Sequence, residues 1–224
     1  MSTRIPFLAM AMALFLSAGC ATTRTQPADD PATAEAIARY EQLREQLRGG
    51  DDAVSMQMLR EAYMRTPHYQ PYQGPVNAGL RAIVNHLNRG DFEACLTTVR
   101  ELQDEAFPLL SLHHYGAYCA HQLDKVADEE MHMGFARQIF HAIIEPGDGR
   151  SMETAWRTLT TPELYLVLAI HELRPRSQAL VSGEGRMFDV MTVVPEGQER
   201  EETRYFDITP QMAFGMRDLD GEER

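Results

Sequence analysis

Residues able to do chemistry gather in a few places along this 224-residue chain, and the loop Glu145-Pro146-Gly147-Asp148-Gly149-Arg150-Ser151 is the best polar candidate among them. Two glycines let a backbone approach a ligand closely, Asp148 offers a carboxylate to a cation or to N–H donors, and the Ser151 hydroxyl can cap a helix. The same residues also read as a plain turn between two helices, with Asp148 and Ser151 satisfying orphan amides, and that reading accounts for every one of them. Histidines come next. His113, His114, His121, His132 and His141 fall on two neighbouring predicted helices, and Glu129 stands three residues before His132. Di-iron bundles use that Glu-x-x-His spacing twice, because six ligands must converge on two metals; one copy makes Glu129 and His132 weak metal candidates, so no metal and no cofactor is expected. His171-Glu172 opens a zincin motif, but Pro175 occupies the second ligand position.

Other signatures are missing or incomplete. The sequence holds no Gly-x-Ser-x-Gly elbow, no phosphate-binding glycine loop and no dinucleotide fingerprint. Asp218-Leu219-Asp220-Gly221 begins like a calcium loop and ends too soon to supply the remaining ligands. Cys95, mid-helix beside Phe92 and Leu96, reads as core and not as a nucleophile for His113 or His114. The thirteen methionines are mostly dispersed, as core filling requires. Enzymatic activity is therefore not the leading expectation.

Location is more legible. Leu16-Ser17-Ala18-Gly19-Cys20 closes a segment with Arg4 at its head and an apolar stretch over 5–16, the length of a signal-peptide core and too short to span a bilayer. It reads as a lipoprotein processing site with Cys20 lipidated, the alternative being an ordinary secretory signal and an incidental thiol. Acylation at Cys20 makes the lipid bilayer a partner, and Ala21 after the cysteine favours the periplasmic face of an outer membrane. Removing residues 1–19 takes away one arginine and moves the formal charge from −12 to −13. Such a field repels nucleic acid and anionic membrane surfaces, so no nucleic-acid partner is expected. Export also puts Cys95 and Cys119 in an oxidising compartment, where they are candidates for a disulfide; two separate buried thiols are the alternative.

The elements that must position these residues are mostly helical. A polar tether over 20–34 precedes a predicted helix at 35–48, stopped by Gly49-Gly50; Asp51-Asp52 cap a second at 53–65, whose apolar positions are Val54, Met58, Leu59 and Tyr63. The proline-rich stretch 66–75 is irregular, its aromatics packing an extended connection. Helices follow at 76–88, 91–105, 108–122 and about 126–144, with Gly90 ending one and Asp91 capping the next in a turn like those of tetratricopeptide repeats. A short helix at 152–159 and another at 162–172, started by Thr161-Pro162-Glu163, lead into period-two segments at 177–182, 186–194 and 202–209. Residues 212–224 read as a loose tail. The expected fold is mainly α, stacked antiparallel helical hairpins over 35–150, with a C-terminal helix and a small antiparallel β meander over 151–211 (α+β).

Gly147-Asp148-Gly149, Ala155, Glu163-Leu164-Tyr165 with Leu168, Asp189 and Tyr205-Phe206-Asp207 together resemble the domain of unknown function 4919 family of exported bacterial proteins over roughly 51–209. Pro146 stands where the family pattern has serine, and Leu164 where it has a second glutamate. The resemblance implies architecture and carries no activity. Function is thus expected to be protein interaction by a non-enzymatic envelope lipoprotein with an unidentified envelope protein partner; the alternative is an envelope enzyme or small-ligand or metal-binding protein centred on Asp148 with His132 or His141.

Overall fold

A computed structural model describes residues 30–222, with side chains of the last helix given as far as Gly215. The leader and Cys20 lie outside the described residues. Six helices come first: α1 (Pro31–Arg48), α2 (Met56–Tyr63), α3 (Gly74–Arg89), α4 (Phe92–Leu102), α5 (Leu110–Gln122) and α6 (Val126–Ile144). Then follow β1 (Trp156–Arg157), α7 (Thr161–Ile170), β2 (Leu173–Gly183), β3 (Arg186–Pro195), β4 (Glu202–Asp207) and α8 (Thr209–Glu222). Consecutive helices pack on one another, α1 on α2, α3 on α4, α4 on α5 and α5 on α6. Their inward residues, among them Leu59, Ile83, Leu96, Leu110, Leu112 and Ile139, are essentially fully buried. Each such side chain contributes about 1.5–3 kcal/mol by leaving water.

Local chemistry sets most boundaries. Gly90 adopts φ 71°, and Asp91 then accepts from the Ala94 amide to start α4, the turn read from the sequence. At α1 the start is earlier than expected: the Asp30 carboxylate accepts from the Thr33 amide and Pro31 supplies the fixed φ of a first turn, so 31–34 are helix and not tether. Helix α2 is capped by Ser55, whose hydroxyl accepts from the Met58 amide, while Asp51 accepts from the Ala53 amide in the preceding turn. Its buried stripe is Met56, Leu59, Arg60 and Tyr63; Met58 faces outward.

Two larger corrections concern the C-terminal third. Residues 152–159 are not a helix. Ser151 and Thr154 close a turn through their hydroxyls and amides, which bends the chain into the short strand β1. Ser151 therefore caps no helix. Strand β1 pairs in parallel with β4, Trp156 opposite Phe206, so the sheet is mixed, in the order β1-β4-β3-β2, and not a pure antiparallel meander. Where the tail was expected to be loose, the described part, 212–222, belongs to α8: Gln211 is buried, Met212 and Phe214 pack on the core, and Asp218-Gly221 lies within that helix, not in a loop.

The irregular connection between α2 and α3, which ends at Gln73 where α3 begins, adds Tyr69 to an aromatic column. Tyr40, Tyr63 and Tyr69 lie with ring centroids 5.6 and 5.7 Å apart, and each hydroxyl donates to a main-chain carbonyl, those of Asp104, His68 and Leu159. Tyr69 Oη reaches across to the turn after β1, tying the helical layer to the sheet.

Candidate functional site

Several of the resemblance residues, Gly147, Gly149, Tyr205 and Phe206 among them, meet at one joint around Trp156. Gly149, at φ 68°, lies flat against Trp156: a Cβ there would sit 2.8 Å from the indole ring, so only glycine fits without displacing it. The Gly149 carbonyl accepts from the Tyr205 amide at 2.7 Å, and the Trp156 indole N–H donates to the Gly147 carbonyl at 2.8 Å. His171 stacks on that indole, 4.5 Å between ring centroids and 8° from parallel. Asp148 is exposed and accepts from the Arg150 amide at 3.0 Å and the Thr154 hydroxyl at 2.9 Å. The Arg150 amide, then the Thr154 hydroxyl, hold its carboxyl below the usual carboxylate range. These partners all belong to its own loop, and no histidine is among them.

Deeper in the joint lies a buried ion pair. Glu163 sits at the third position of α7, where Thr160 caps the helix by accepting the Glu163 amide, one residue earlier than the sequence reading placed the cap. Its two carboxylate oxygens each receive an Arg60 guanidinium nitrogen at 2.9 Å. They also accept from the Leu110 and Leu159 amides, at 3.2 and 2.7 Å. Arg60 donates further to the Pro108 and Arg157 carbonyls. The pair thus fastens α2, the starts of α5 and α7, and β1 together. Glu163 was legible as a capping acid; Arg60 was not singled out, although a cation between Leu59 and Tyr63 on a buried stripe is the signal that finds it.

The histidines diverge. His113 and His132 are fully buried and face each other with Nδ1 atoms 3.0 Å apart, and His113 Nε2 donates to the Phe107 carbonyl at 2.9 Å. His113 Nδ1 is then an acceptor and His132 Nδ1 the donor, both rings neutral. Burial pushes the two titrations down, to about 3 for His113 and about 4 for His132. Glu129 turns away to the exposed His121, 3.1 Å distant, so the Glu129/His132 spacing makes no shared site. His141 is exposed and His114 half-buried. No metal-holding group of three or more His, Cys, Asp or Glu occurs among the described residues. Cys95 and Cys119 are joined as a disulfide between α4 and α5, Cα atoms 6.3 Å apart, which removes Cys95 as a nucleophile.

A cavity of about 440 Å³ opens elsewhere, a feature no motif announced because four separate segments build it. Leu80 and Val84 of α3 form one wall, Pro71 and Tyr72 of the connection a second, and Tyr115 of α5 with Pro162 of α7 a third. Arg81, Asn85, Ser111 and Thr161 supply its polar atoms; Asn77, also at its edge, spends its amide on the Gln70 and Gln73 carbonyls. A second depression of similar size between α1 and α2 is lined by Glu35, Glu61, Arg39 and Arg65, charges that balance one another.

The family model described as Domain of unknown function (DUF4919) matches residues 34–217. No curated protein and no solved structure matches the chain significantly.

Proposed function

Because the chain belongs to the DUF4919 family, whose description assigns no activity, we propose its role from its own residues: an exported protein held by acylated Cys20 at the periplasmic face of the outer membrane, working by binding an envelope protein and not by catalysis. The carrying observation is that the chemistry-bearing clusters are closed. Glu163 and Arg60 satisfy each other, His113 and His132 face each other, and Asp148 is spent on its own loop. Ser111, in the open cavity, has no histidine or carboxylate among the other residues lining that cavity to act as a base. No described helix is long and apolar enough to cross a membrane, so attachment in this reading comes from the acyl chains.

A surface for the partner is offered by the outer side of the α5–α6 pair, where Tyr118 and Met133, 50 % and 41 % exposed, line a shallow depression. Crosslinking from envelope membranes tests the reading. A defined partner is expected with the wild-type chain and is lost with Tyr118→Glu; capture unchanged by that variant removes this surface, and no capture at all removes the interaction role. Cys20→Ala is expected to yield a soluble or unprocessed protein. An unchanged membrane fraction with normal processing overturns the anchor.

A further inference from the structure

The cavity between α3, α5 and α7 carries a chemistry of its own, independent of the partner surface above. On a chain with thirty-three carboxylates none lines it, and its single charged group is Arg81, an exposed guanidinium with no ion pair among the described residues. Ser111 is 3 % exposed, borders the cavity, and has no hydrogen-bond partner for its hydroxyl among the described residues. That oxygen is not sealed from solvent, so a group entering the cavity can reach and bond it. Asn85 adds a free side-chain amide on the same helix face as Arg81, one turn on.

We infer that this cavity binds a small monocarboxylate with an apolar body, its carboxylate held by Arg81 and Ser111 and its body lying against Leu80, Val84 and Tyr115. The planar fork of one arginine suits one carboxylate, and the absence of a second cation argues against a phosphate dianion. With no acidic group lining the cavity, nothing compensates an ammonium, so amino-acid zwitterions and amines are excluded on the same ground. The apolar walls and a volume of about 440 Å³ match a small-molecule site.

Calorimetric titration of the folded chain with octanoate and with 4-phenylbutyrate tests this. Saturable binding of at least one carboxylate is expected, with octanamide, 4-phenylbutyramide and octylammonium giving none. Arg81→Gln, an exposed substitution that leaves the core untouched, is expected to weaken binding at least tenfold, and Ser111→Ala several-fold with an unchanged melting curve. The inference is overturned if neither carboxylate saturates, if the amides bind as well as the acids, or if Arg81→Gln binds like the wild type. None of these results bears on whether Tyr118→Glu loses an envelope partner.

Discussion

At the scale of the residue, the most consequential side chains are those that look reactive and are instead locked. Arg60 and Glu163 are 2 % and 0 % exposed and share two hydrogen bonds at 2.9 Å, so removing one leaves the other charged and uncompensated in the core. Arg60→Met is expected to cost about 3–5 kcal/mol, and adding Glu163→Leu to recover part of it; denaturant titration of the single and double variants measures both. The histidine pair sets a pH dependence. Folded, His113 and His132 titrate near 3 and 4; unfolded, they return toward 6.5, so the unfolded chain takes up protons first on acidification. Stability is therefore full above about pH 7 and is lost as pH falls from about 6.5 toward 4, by up to about 1.4 kcal/mol per pH unit for each ring. His132→Gln, which keeps an N–H donor for His113, is expected to flatten that slope in melting curves taken between pH 4.5 and 7.5. Asp148 is a contrasting case. Asp148→Asn is expected to leave the melting temperature and complementation of a deletion strain unchanged, since its partners are amide and hydroxyl donors within its loop; loss of complementation by a stable Asn variant would make that carboxylate functional.

At the scale of the element, what the sequence disclosed depended on whether the cause was local. The Gly90-Asp91 turn and the stop at Gly49-Gly50 were legible because a glycine and a capping carboxylate act within a few residues. Residues 152–159 were not, because Trp156 is held extended by a strand that follows much later and by a glycine contact that no window of sequence contains. Helix α8 escaped for a similar reason: Phe214 packs edge-on against Tyr69, 5.8 Å between centroids, a partner far back in the chain. Of the candidate sites, the 147–151 loop was found and the cavity lined by Ser111 was missed, since its walls come from four stretches that share no motif. The disulfide between α4 and α5 closes a separation of 24 residues, and the chain-entropy relation assigns it about 3 kcal/mol. Reductant is expected to lower the melting temperature by several degrees, and two thiols titrating in the unfolded, unreduced protein would refute the bridge.

At the scale of the whole molecule, the helices and the sheet form one unit because the joint between them is shared. Tyr69 on one side bonds the Leu159 carbonyl on the other, and the Arg60–Glu163 pair spans a sequence separation of 103 residues. A fragment limited to 30–150 is accordingly expected to lack a stable fold, read as rapid proteolysis and lost near-ultraviolet dichroism, although its helices pack locally in the intact chain. The same long-range closure has a consequence in time. Neighbouring helices meet over short loops and can associate early, whereas Arg60 stays an unneutralised cation until residue 163 arrives, and Trp156 waits for Phe206. Completion of the joint is then the late event of folding, and for as long as it is incomplete the chain remains a loose helical assembly, which is the form a translocation machinery would receive if the export proposed above holds.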